Sequence, residues 1–202
     1  MYQLDPTAAR QADEGSLRIT EIGKYVGTLK RAEDITSTKG TRGIDCEFET
    51  PEQHIARFTL WTRNNEGKKI FGFKQLQALM TCLHVTQLNP TSATAARWDR
   101  DARAWISVDV QIFDALMHKP IGILFETEEY KKQDGSPGTK VVPAAFFEPQ
   151  TERMASEILD KKGQPQQLAK RIPLLKHRPL RPPVTVASPA PAADVPDDDI
   201  PF

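Results

Sequence analysis

In the run HIARFTLWTR, residues 54–63, two sets of side chains alternate. Ala56, Phe58 and Leu60 fall on one side of an extended chain, and Ile55, Arg57, Thr59, Trp61 and Arg63 fall on the other. Cations beside a flat ring, at strand spacing, suit a flexible polyanion that carries bases: the cations meet backbone phosphates, and each base stacked on a ring contributes roughly 1–3 kcal/mol. Arg57, Trp61 and Arg63 are therefore the first candidates for contact with single-stranded nucleic acid, and Lys68, Lys69, Phe71, Phe73 and Lys74 continue the pattern beyond the turn NNEGKK. Lys24, Tyr25, Lys30 and Arg31 form a second set. Lys39 and Arg42 lie in a glycine-flanked loop where backbone can approach phosphates. Each set also has a plainer reading. Trp61 could pack under a loop, Arg57 and Arg63 could pair with Glu47 or Glu49 across a sheet, and the other cations could simply be solvated.

The last six residues, DDDIPF, carry a different chemistry. Asp197, Asp198 and Asp199 precede Ile200, Pro201 and Phe202. This is the make-up of a peptide ligand: carboxylates steer it to a basic surface, the proline restricts the backbone, and a ring beside a terminal carboxylate anchors it. A merely solvated acidic terminus gives no reason for an isoleucine and a phenylalanine beyond the charges.

Catalytic signals are weaker. Asp99, Asp101, Asp109 and Asp114 could be read as a two-metal nuclease site, but no His, Lys or Glu falls at a supporting spacing. There is no phosphate-binding glycine loop and no nucleophile elbow. Cys46 and Cys82 stand far apart among apolar neighbours, and His54, His84, His118 and His177 are equally scattered, so buried thiols are expected rather than a zinc site or a disulfide framework. The expectation is a non-enzymatic protein with no cofactor and no metal. Trp98 and Trp105 are seven residues apart in WDRDARAW, with Arg100 and Arg103 between them. That spacing is one face of a helix, from which the two rings would stack bases or pack in a core or interface.

These side chains need a scaffold. The chain has 202 residues with 27 basic and 27 acidic side chains, so any nucleic-acid site must be a local patch. Residues 1–16 read as a loose arm. The run from Leu17 to Ile35 reads as a strand bent at Gly23 and Gly27; Ile44, Cys46 and Phe48 alternate with Asp45, Glu47 and Glu49 as a second strand, and HIARFTLWTR is a third. Leu76, Leu79, Met80 and Leu83 then fall at helical spacing, which predicts a helix from about Lys74 to His84. The segment TSATAARWDRDARAW is open between helix and loop. Strands are predicted over residues 106–112, 121–130 and 141–147, with a short helix in TERMASEILDKK. The order is that of a mainly β domain over residues 17–160, a five-stranded oligonucleotide-binding (OB) barrel with one or two short helices. An SH3-like barrel or a small α+β sandwich fits the same order.

After residue 160 the composition shifts. Seven basic side chains come first and four aspartates last, nine of the 16 prolines lie from Pro165 onward, and Phe202 is the only aromatic residue beyond Phe147. So little apolar area predicts a disordered, basic and proline-rich linker over residues 161–196, with residues 197–202 as an acidic interaction tip. No apolar run reaches about 18 residues and the opening residues lack the order of a signal peptide, so no membrane span and a cytoplasmic location are expected.

The DDDIPF segment after a proline-rich linker resembles the acidic tip of bacterial single-stranded-DNA-binding proteins. In that family an OB barrel coats single-stranded DNA, and the tip docks replication, recombination and repair enzymes. The resemblance implies that Phe202 anchors, Ile200 and Pro201 support it, and Asp197, Asp198 and Asp199 supply the electrostatic part. Gly23-Lys24-Tyr25 and Thr38-Lys39-Gly40 are similar to segments of the single-stranded-DNA-binding proteins that bacteriophages encode. The implied function is sequence-independent binding and protection of single-stranded DNA, with partner recruitment through the tip. A homo-oligomer is one open arrangement. The rival reading is an interaction protein that mimics a host tip to capture tip-binding enzymes.

Overall fold

The structure, a computed structural model, describes residues 17–99, 101–132 and 134–180. Within them the chain is mainly β and antiparallel. β1 (Gly23–Thr36), β2 (Arg42–Glu49) and β3 (Ile55–Arg63) form a meander; α1 (Phe71–Cys82) follows; β4 (Thr91–Asp99) and β5 (Ala104–Ile112) make a hairpin; β6 (Pro120–Lys131) and β7 (Pro137–Phe147) make another. Two short helices, α2 (Ala155–Leu159) and α3 (Gln167–Arg171), and the two-residue strand β8 (His177–Arg178) end the described chain.

Alternation sets the meander. In β2 the side chains of Ile44, Cys46 and Phe48 are buried while Asp45, Glu47 and Glu49 stay half-exposed; in β3 Ala56, Phe58 and Leu60 are buried beside outward Arg57 and Trp61. The two register as expected of a hairpin, Cys46 opposite Phe58 and Glu47 opposite Arg57. β1 serves three neighbours, and meets β5 only where Glu33 stands opposite Ile112. Its first half, Gly23 to Thr28, pairs with β6, and its second half pairs with β2 from Thr28 to Thr36. The register of β1 on β2 shifts between Leu29 and Arg31, where an extra residue sharpens the twist. Gly27 has another role: a Cβ there would stand 2.1 Å from the Glu49 carbonyl oxygen, so the end of β2 could not cross β1 at this distance. The strand expected to run from Leu17 is broken. Leu17 to Ile19 instead bond to Ile55 at the start of β3, with Ile19 N–H donating to the Ile55 carbonyl at 2.9 Å, and β1 begins at Gly23.

The core gathers around Phe125 of β6. Tyr25, Phe48 and Phe58 each meet its ring edge-on, with centroids 5.8 Å apart, a favoured geometry for aromatic pairs. α1 closes the layer with Leu76, Leu79 and Cys82. It starts at Phe71, three residues before the expected Lys74, because Gly72 lets its first turn lie on β3: a Cβ at Gly72 would come within 2.1 Å of the Trp61 carbonyl oxygen. β7 pairs only with β6, and β3 pairs with β2, so the backbone ladder stays open between β3 and β7. A closed five-stranded barrel is not what the pairing describes. α1 spans that seam, and its Gln75 side chain donates to the Pro143 carbonyl of β7 at 2.7 Å.

Two expectations are corrected. The WDRDARAW segment is neither helix nor loop: Trp98, one residue before the end of β4, stands directly opposite Trp105 of β5. The side chain of Asp99 accepts the N–H groups of Asp101 and Ala102 at 2.8 and 3.0 Å and turns the chain, with Arg103 at φ 48°. The β-branched partner Ile106 to Ile112 then draws the alanine- and threonine-rich strand into a ladder. The second correction is that residues 161–180, expected to be linker, are ordered against the body. Leu168 is buried with Leu124 and Phe147. The buried carboxylate of Glu157 accepts the backbone N–H groups of Met154, Gln166 and Gln167 at 3.0, 2.6 and 2.9 Å, which ties α3 to α2. β8 adds to β6 in parallel at Thr127 and Glu128, and Arg178 bonds to the buried Glu126 at 2.6 Å. Composition could not show this, because the order rests on bonds to carboxylates of the body more than on apolar area.

Candidate nucleic-acid interface

The outer face of the meander is built around acids. Asp45, Glu47 and Glu49 line β2 between β1 and β3, and each is engaged. Arg57 donates to Glu47 at 2.6 Å, Arg31 meets Asp45 at 2.5 Å, and Lys30 lies 3.3 Å from Glu49. Thr59 also donates to Asp45 at 3.1 Å. Three of the cations proposed for phosphate contact are thus held by carboxylates on their own sheet. Lys24 pairs with Glu152 and lies 5.3 Å from the Phe147 ring centroid, while Tyr25 packs on Phe125 and donates its hydroxyl to the Glu21 carbonyl at 3.2 Å. That group is committed to the fold.

One end of the β2–β3 hairpin differs. Arg42 stands opposite Arg63 in the ladder, so the loop before β2 and the turn after β3 emerge side by side. Gly40 and Asn65 abut, a Cβ on Gly40 falling 3.2 Å from that of Asn65. Asn64 shapes the turn by accepting the N–H groups of Glu66 and Lys68 at 3.1 and 2.8 Å, and Gly67 takes φ 79°. Lys39, Arg42, Lys68 and Lys69 project here, exposed. Among the described residues none of the four is ion-paired, and Glu66 is the only acid in the two loops. Two rings accompany them. Trp61, 36% exposed, faces out of β3 beside the small Gly43. Phe73 has Lys69 Nζ 4.4 Å and the Arg63 guanidinium carbon 5.9 Å from its ring centroid. Such cation–ring contacts hold the flexible side chains over the ring face without neutralising them.

The structure therefore brings together Lys39, Arg42, Trp61, Arg63, Lys68, Lys69 and Phe73, and separates them from Lys24, Tyr25, Lys30, Arg31 and Arg57. Sequence reasoning had the members and missed the meeting. The signal was available in the hairpin register, which makes Arg42 and Arg63 neighbours. Phe71 and Lys74 lie elsewhere, on a groove of about 380 Å³ between α1, β7, α2 and α3, together with Lys170 and Arg171. Trp98 and Trp105 stand out on the β4–β5 hairpin, 51% and 70% exposed, edge to face at 5.8 Å. Asp197, Asp198, Asp199, Ile200, Pro201 and Phe202 lie outside the described residues, as does Arg100.

Burial pushes the Cys82 thiol up to about 12, helped by the charge of Glu148, and burial beside Asp45 pushes Cys46 up as well. Neither is a thiolate at neutral pH. Among the described residues no three His, Cys, Asp or Glu side chains gather as metal ligands would. No family model matches the sequence, and no curated protein matches it.

Proposed function

We propose that this chain binds single-stranded DNA without sequence specificity through the end of the β2–β3 hairpin, and recruits replication, recombination or repair enzymes through Asp197–Phe202. The observation that carries the reading is the gathering of five cations, Lys39, Arg42, Arg63, Lys68 and Lys69, with the rings of Trp61 and Phe73 around one pair of loops. Cations serve phosphates, and rings serve bases of any identity. An OB-type barrel, open between β3 and β7, is the architecture proposed with it. The support is a bent first strand shared by the second strand and a later hairpin, with a helix after the third strand.

Titration with oligo-dT, read by tryptophan quenching, tests the function. With roughly four phosphates neutralised, log K should fall with log salt at a slope near −3, about −0.7 per contact. The double substitution Lys68→Glu, Lys69→Glu should flatten that slope by about half. A preference for duplex, or no salt response, overturns the proposal. A second reading, a tip-mimicking capture protein with an inert body, draws on the acidic row Asp45, Glu47 and Glu49. Retained capture of tip-binding enzymes with no oligo-dT binding would select it.

A further inference from the structure

The groove that holds Phe71 and Lys74 has no role in the interface above. Small side chains line it, Ala78 on α1 and Ala144 and Ala145 on β7, together with the exposed Leu174. Phe71 lies on its rim, 67% exposed. Three cations, Lys74, Lys170 and Arg171, line it, and among the described residues no carboxylate does. Among the described residues none of the three is ion-paired. At about 380 Å³ it lies at the small end of ligand-site volumes. It suits an occupant with one or two compact apolar side chains and several negative charges close by.

We propose that this groove seats the chain's own segment Asp197–Phe202, with Phe202 and Ile200 on the alanines and the three aspartates against Lys74, Lys170 and Arg171. The inference shares with the proposed function the reading of DDDIPF as a peptide ligand, and it does not depend on DNA binding. Charge complementarity is one support: the segment sets three carboxylates directly before its apolar residues. Reach is the other. Leu180, the last described residue, lines a concavity that shares Arg171 and Leu174 with the groove. The 16 residues from 181 to 196 can extend about 50 Å, against a radius of gyration of about 15 Å for a body of this size. Tethering holds the segment at an effective concentration near the millimolar range, so a weak seat is substantially filled. A seated tip is hidden from other proteins, which makes partner recruitment a competition with the chain's own groove.

The test uses the full-length chain with Phe202 replaced by the photo-reactive p-benzoylphenylalanine, and maps the cross-links by mass spectrometry. Cross-links at monomer mass on residues 71–78, 144–146 and 167–174 are expected. Lys170→Glu with Arg171→Glu should cut them by about fivefold, the scale of two exposed ion pairs, with circular dichroism unchanged. Oligo-dT titration of the same double variant should stay within about twofold, because these residues lie outside the hairpin-end cluster. Cross-links at dimer mass, cross-links centred on the hairpin end, insensitivity to the charge reversal, or none at all overturn the proposal. Loss of oligo-dT binding by the unsubstituted chain, with the cross-links intact, counts against the DNA reading alone.

Discussion

Arg57 and Trp61 leave the same face of β3 four residues apart, and their surroundings give them opposite roles. Arg57 is spent on Glu47 at 2.6 Å, an exposed pair of the sort that contributes under about 1 kcal/mol. Trp61 keeps an open ring beside unpaired cations. Trp61→Ala should therefore weaken oligo-dT binding by roughly 1–3 kcal/mol and leave the thermal midpoint nearly unmoved, while Arg57→Ala should change binding by less than about 1 kcal/mol. Titration and melting of both variants check this. A large drop in midpoint for Trp61→Ala with unchanged affinity would make the ring a packing element. From sequence, Arg57 and Trp61 read alike, since alternation fixes the side of a strand and says nothing of who stands across from it.

Across from a residue is also where elements find their stability, and the segment after residue 160 shows it. Burial works to raise the pKa of Glu157, yet the N–H groups of Gln166, Met154 and Gln167, with the charge of Lys162, hold it below the ordinary glutamate value. A lowered folded-state pKa gives stability that is complete above the unfolded value, about 4.3, and is lost as pH falls through the folded one. The protection factors of residues 161–180, taken against the intrinsic exchange rate at each pH, should accordingly fall on acidification below about pH 4, before the meander opens. Glu157→Gln should loosen the segment already at pH 7, by about 2–3 kcal/mol for a carboxylate that served several donors, and abolish the acid step. The meander and α1 were legible because hydrophobic period is a local signal: Ile44, Cys46 and Phe48 declare their strand without help. The β4–β5 hairpin, α3 and β8 were not, because an Asx turn at Asp99, the buried Glu157 and the distant Glu126 decide them in turn. The candidate site falls between. Its cations and rings were readable one by one, and only the register of β2 on β3 assembled them.

At the scale of the whole molecule, an open ladder leaves strand edges, and an unpaired edge is a template for another chain. Several of these edges are engaged at points along them. Leu17 to Ile19 and Lys69 bond along β3, Gln75 and Met154 bond to β7, and β8 occupies the edge of β6 that β1 does not reach. β4 is different: among the described residues it ends the sheet and pairs only with β5. Its sequence TSATAARWD offers small, mostly uncharged side chains up to Arg97, with none of the lysines or prolines that discourage edge-to-edge addition. The consequence concerns solubility. Crowded copies of this protein, as on a coated strand, should add through β4 before any other surface, and the concentration at which light scattering rises measures it. Thr94→Lys, on the exposed side of that edge, should raise this threshold while oligo-dT affinity stays the same. An unchanged threshold would mean that β4 is shielded from pairing by the projection and twist of its own hairpin.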